Sequence, residues 1–334
     1  MIFRFRLLFV VVLTALLGIT WCIRAATHAR PPPYLGSSYR GYNSTAHLPA
    51  TDHAIATFLT GQAKDDSYFT ATRILTHQLL HANSTRCNSN STTFIVLCSE
   101  SVPKEQKDTL REDGATVVEV RDVQLNWWIR SGEARWKEQF NKLRVFEMTE
   151  YKRILFLDAD TLLTGPVDPI FDEPEVATLT PTLIRKGQVK WGESQLPSQW
   201  LFAARSDNSL TGQREHPTPP LQAQSFNAGF FLIAPDRQIY EHLVSVMALV
   251  GRFNTHTMEQ GLLNYVFRRE GLMPWRELHW KWSATWPNEQ DLEMEVVTLH
   301  DQFWKTGPQQ LRDLWNAEKG AMLNFHDKRR LAAV

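Results

Sequence analysis

The chain is poor in cysteine, has no surplus of either charge and shows no internal repeat. Only Cys22, Cys87 and Cys98 occur among 334 residues, and no C-x-x-C pair is present. That excludes a disulfide scaffold and a cysteine-built structural zinc site. Lys and Arg total 36, as do Asp and Glu, so the formal net charge is zero. Gripping nucleic acid needs a field of unpaired Lys and Arg, so nucleic acid is not an expected partner. Disorder is excluded as well, because 43% of residues are hydrophobic and 22% charged, enough for a core without covalent staples. One large α/β domain or two small ones remain.

One long uncharged run is present, at the N-terminus. Leu7 to Ile23 reads LLFVVVLTALLGITWCI, with Arg4 and Arg6 before it and Arg24 and Arg30 after. At about 1.5 Å per residue this is the short end of a membrane span. A cleaved signal peptide has an apolar stretch of about 7–15 residues and a small-x-small cleavage site. Arg24 stands where that site belongs. The expectation is an uncleaved signal anchor, with a secreted protein as the alternative. Residues 1–6 would be a cytosolic tail, 7–23 the membrane helix, 24–51 an extended stem around Pro31-Pro32-Pro33, and 52–330 the catalytic domain. Sequons at Asn43, Asn83 and Asn90 place that body in the secretory lumen. There Cys87 and Cys98 either pair or stay as a loop thiol and a buried strand thiol.

The body alternates strand and helix. Apolar runs at Ala54–Thr60, Thr93–Cys98, Thr116–Val120 and Arg153–Leu157 read as parallel strands covered on both faces. Between them lie a helix with Tyr68, Ala71, Leu75 and Leu79 on one stripe, capped by Asp65 and Asp66, a polar helix from Pro103 to Asp113, and a third around Trp136–Met148. This is a βαβαβ half of a nucleotide-binding sheet, whose sites lie at the carboxyl ends of strands. The stretch from Arg185 to Gln224 lacks periodicity and reads as a long functional loop.

The fourth strand ends in Asp158-Ala159-Asp160, within ILFLDADTLLTGPVDPIF. Side chains two apart at a strand end point the same way, so both carboxylates can address one cation. Hard oxygen ligands shared with nucleotide phosphates suit magnesium or manganese. Further blocks follow in order: AIATFLTGQAKDDSYFTATRILTHQLL before this one, then SFNAGFFLIAP, MEQGLLNYVF and VTLHDQFWKTGP after it. With FNKLRVFEMTEYKRILFLDADTLL, they resemble the glycogenin-like glycosyltransferases of family 8, and more closely the fungal members taken to be Golgi N-acetylglucosaminyltransferases. The resemblance runs from Ala54 to His326.

It implies a GT-A fold, a single Rossmann-like domain, and retaining transfer of a hexose or N-acetylhexosamine from a UDP-sugar to a glycan or glycoprotein hydroxyl. Asp158, Asp160 and His300 would hold Mn2+ (or Mg2+), with Asp158 also near the donor ribose. Lys142 would lie near the donor phosphates, and Thr60 and Tyr68 against uracil. Asn227, Ala228 and Gly229 would line the donor sugar, with Gln260 at its reactive face and Glu259 on its hydroxyls. Lys305 would neutralise the leaving diphosphate. Two departures stand out: Glu259-Gln260 replaces Asp-Gln, and H-D-Q-F-W-K-T-G-P replaces H-x-x-G-x-x-K-P-W, bringing the lysine one residue closer. Of Trp275, Trp280, Trp282, Trp286 and Trp304, one or two are expected to stack on acceptor and the rest to pack in the core, while Arg185-Lys186 and Lys190-Trp191 either contact acceptor or form a solvated basic loop. The competing class is a catalytically inactive sugar-nucleotide or glycan-binding module of the same fold.

Overall fold

Four apolar runs become the parallel heart of one sheet. The computed structural model describes residues 41–43, 51–63, 65–88, 91–130, 134–183, 189–208 and 214–332. The span Leu7–Ile23, Asn90 and Arg185-Lys186 lie outside them, as does most of the stem. Among the described residues no helix is long and apolar enough to cross a membrane.

After β1 (Tyr42–Asn43) come β2 (His53–Leu59), α1 (Ser67–Leu80), β3 (Thr92–Ser99), α2 (Lys104–Glu112), β4 (Thr116–Val120), α3 (Ala134–Glu138) and β5 (Arg153–Leu157). Next are β6 (Thr161–Leu163), α4 (Pro174–Ala177), β7 (Thr180–Pro181), β8 (Gln199–Trp200), β9 (Phe202–Ser206), β10 (Phe226–Ile233), α5 (Arg237–Met247) and α6 (Met258–Val266). The chain closes with β11 (Arg276–Glu277), β12 (Ala284–Thr285), α7 (Glu289–Glu293), β13 (Thr298–His300) and α8 (Gln309–Ala332). The third expected helix is only partly α: α3 passes into a 3-10 helix, Gln139–Glu147.

The main sheet runs β1-β4-β3-β2-β5-β10-β9-β11. The β2–β3, β3–β4 and β2–β5 pairs are parallel, while β10 is antiparallel to both β5 and β9. The expected parallel half is present and a mixed half completes it. Chain order reverses at β2 and β5, so their carboxyl ends frame a crevice. Period-two alternation divides the core: Ala54, Ala56 and Phe58 join one cluster, Ile55 and Leu59 the other. Each fully buried Leu, Ile or Phe contributes roughly 1.5–3 kcal/mol.

A second, three-stranded sheet, β12-β13-β6, sits beyond the end of β5. Leu162, Leu299, Phe303 and Leu311 pack there with Trp315 and Met322 of α8. The long loop expected at Arg185–Gln224 contains two strands, β8 and β9. Trp200 and Phe202 are fully buried, and β9 owes its place to the Phe231 and Phe267 rings stacked on Phe202 at 5.2 and 4.1 Å. Only half of the expected α1 cap is found: Asp65 Oδ1 accepts from Ser67 N at 2.9 Å, whereas Asp66 accepts from Gln106 Nε2 at 3.0 Å. Cys87 and Cys98 are separate free thiols, each pushed up to about 12 by burial.

Candidate active site

The switch point delivers the first two groups. Thr60 follows β2 and Asp158 follows β5. Antiparallel β10 pairs Phe230 with Leu157, which carries Asn227-Ala228-Gly229 alongside Asp158. Asp158 N donates to Gly229 O at 2.8 Å. A β-carbon on Gly229 would lie 2.3 Å from His300 Cε1 and 2.8 Å from Asp158 Oδ2. Glycine is needed here for space.

A turn after Asp158 leads into β6, whose Thr161 pairs with His300 of β13. That rung joins residues remote in sequence: His300 Nε2 lies 3.1 Å from Asp160 Oδ1 and 3.8 Å from Asp158 Oδ2. One ligand atom from each of the three lies within 4.8 Å of the others. Burial opposes charge on His300, but the Asp160 and Asp158 carboxylates override it and hold the imidazole up at about 9. His300 Nδ1 is buried with no hydrogen-bond partner. Two carboxylates and an imidazole converging on one point fit a divalent ion of the manganese or magnesium type.

Lys142, in the 3-10 helix, is buried between two carboxylates. Its Nζ lies 2.8 Å from Asp158 Oδ1 and 2.9 Å from Glu259 Oε1. Burial disfavours its charge, yet the two anions outweigh that and raise its pKa. Burial raises Glu259 against the pull of Lys142. The lengthened side chain of Glu259 therefore ends on the lysine. Gln260 is held at both ends of its amide: Oε1 accepts from Ala228 N at 3.0 Å, and Nε2 donates to Asp207 Oδ2 at 3.2 Å.

Thr60, Tyr68, Trp136, Gln139, Asp158, Ala159, Asp160, Glu259 and Gln302 line one cleft of about 320 Å³. Gln302 Nε2 donates to Tyr68 OH at 2.8 Å. Thr60 and Ser101 both donate to the Glu138 carboxylate, Ser101 at 3.0 Å. A wider cavity of about 630 Å³ lies between α1, α2 and α8 and contains none of these groups, so donor chemistry, not size, identifies the site.

Eleven of the twelve sequence-derived site residues gather around the switch point. Lys305, the twelfth, has an exposed side chain whose charge bears on Asp65, while its backbone N donates at 2.7 Å to the O of Gln302, a residue of the cleft. The tryptophans do not form one wall. Trp275 and Trp282 are core residues, the first edge-on to Phe226 at 5.4 Å and the second donating to Glu173 Oε1 at 2.9 Å. Trp304 meets Tyr68 edge-on at 5.0 Å. Sequence reasoning missed Glu138, Asp207 and Gln302, isolated polar residues whose partners are far along the chain.

The α/β sheet is consistent with the class that a family match then establishes, the glycosyltransferases. The family model described as glycosyl transferase family 8 matches residues 62–301. The chain belongs to that family. An uncharacterised protein of Schizosaccharomyces pombe is 30% identical over 292 residues, covering 79% of this chain and 76% of its own. Galactinol synthase 4 of Arabidopsis thaliana is 26% identical over 179 residues, 53% of this chain and 52% of its own. The solved apo structure of the glycosyltransferase GlyE from Streptococcus pneumoniae TIGR4 overlays 84% of this chain and 64% of its own, at 16% identity and a TM-score of 0.49.

Proposed function

We propose that the protein is a retaining transferase that moves a hexose or N-acetylhexosamine from a UDP-sugar to a glycan or glycoprotein hydroxyl. The observation that carries this reading is the convergence of Asp158, Asp160 and His300 within 4.8 Å at the switch point, beside buried Lys142. Mn2+ (or Mg2+), held by those three residues, would supply Lewis-acid stabilisation of the departing diphosphate. Lys142 adds a fixed positive charge behind Asp158, in a site shielded from water, where it acts more strongly than in solution. Thr60 and Tyr68 line the same cleft as Asp158 and Asp160 and take the base. Asn227, Ala228 and Gly229 take the sugar, and Gln260, fixed at both ends, is set against its reactive face. The N-terminal run and the sequons support a type II Golgi membrane protein with a lumenal body, with a secreted form as the alternative.

The test is hydrolysis of a UDP-sugar panel by full-length protein with and without Mn2+. Asp160→Ala is expected to lower turnover at least about 100-fold with the fold intact by circular dichroism. Folded wild-type protein that turns over no UDP-sugar would sink the reading.

A further inference from the structure

Trp286 occupies a position that costs the fold something. Among the described non-glycine residues only Met258, Trp286 and Glu295 have positive φ, and Trp286 stands at 55°. A bulky side chain in the left-handed region is strained, and such residues persist where surrounding structure over-determines them. The surroundings here do so. Trp286 N donates to His300 O at 3.3 Å. Arg214 lies over the indole, Cζ 5.5 Å from its centroid, and is ion-paired with Asp301. Arg214 Nη1 also donates to Pro287 O at 3.3 Å, and Asn288 Nδ2 donates to Arg214 O at 2.7 Å. Yet the ring so firmly held is 39% exposed.

Its address gives that exposure a meaning. Thr285 pairs with His300 across β12–β13, so Trp286 is one residue past the rung that carries the imidazole. On the other side Asn208 Nδ2 donates to Thr285 O at 3.1 Å, and the neighbouring Asp207 accepts from Gln260. The backbone that carries the indole is thus tied to His300, one of the groups proposed to hold the metal, and through Asn208 and its neighbour Asp207 to Gln260, set at the reactive face of the donor sugar. An aromatic face there matches the apolar C–H face of a second sugar ring.

We propose that Trp286 is the acceptor platform, a stacking surface for a pyranose ring next to His300, with Arg214 as its positioning residue. The proposal rests on the transferase reading above. The test measures binding of cellobiose and N,N′-diacetylchitobiose by ligand-observed NMR with UDP and Mn2+ present, and binding of UDP by calorimetry. Wild-type protein should bind at least one disaccharide. Trp286→Ala should weaken it at least tenfold while the Kd for UDP stays within threefold; Trp286→Phe should recover most of the loss. Arg214→Gln should weaken disaccharide binding by a smaller factor, and provides the same readout should Trp286→Ala fail to fold. Disaccharide binding that survives both substitutions, or none in a wild-type protein that binds UDP, overturns the platform alone. Wild-type protein that binds no UDP overturns the transferase reading as well.

Discussion

Lys142 shows what a single residue does in this site. Its ammonium sits between Asp158 and Glu259, and it is 1% exposed. Removing one partner of a buried ion cluster leaves the others without compensation, which costs more than the cluster contributes when whole. Lys142→Met is therefore expected to destabilise the protein by about 3–5 kcal/mol, read by urea unfolding, in addition to lowering activity. A loss below about 1 kcal/mol would mean that Glu259 finds another partner or takes up a proton. At this scale the sequence was informative where residue type and position coincide, as in Asp158-Ala159-Asp160 at a strand end. It was uninformative for Glu138 and Gln302, because nothing local distinguishes a glutamate that accepts from Thr60 from one that meets water.

Elements differ in how visibly they announce themselves. The runs that became β2 to β5 needed only their own hydrophobicity, since buried parallel strands are apolar on both faces. In contrast β9 is five residues long and ends in Arg205-Ser206; only its partners make it a strand. The length of α8 went unread as well, although its seat explains a cluster of histidines. The His77 ring, on α1, lies 5.2 Å from the Phe325 ring and 6.5 Å from that of His326. Burial lowers His77 from its usual 6.5 to about 4 and also depresses His326. Both are neutral in the folded state near pH 7, so their contribution is whole above about pH 6.5 and is lost as pH falls toward 4. The nearby Asp113 carboxylate softens this, and Arg73 and Arg329 reinforce it. The expected outcome is a stability loss on the order of 1 kcal/mol between pH 7 and pH 5, seen as a lower Tm that His77→Gln flattens. A Tm profile indifferent to that substitution would remove His77 as the cause.

The whole molecule is less even than its composition. Equal totals of acid and base conceal an uncharged N-terminal run and a body whose decisive charges are local. Asn83 is exposed beside α1, while the hydroxyl of Thr85 in the same sequon donates to Gln78 O at 2.8 Å inside the fold. A lumenal body predicts that Asn83 carries a glycan, detected as a mobility shift on glycosidase treatment that Asn83→Gln reduces by one step. No shift from any of the three sequons would place the body elsewhere.

The ligand set is split along the chain as well as between sheets: Asp160 and its partner His300 stand 140 residues apart. A polypeptide under synthesis therefore carries both carboxylates long before it carries the imidazole, and β13 must add to β6 before the three meet. An unfinished chain cannot bring these three groups together, so anything that needs all of them waits until biosynthesis has passed His300.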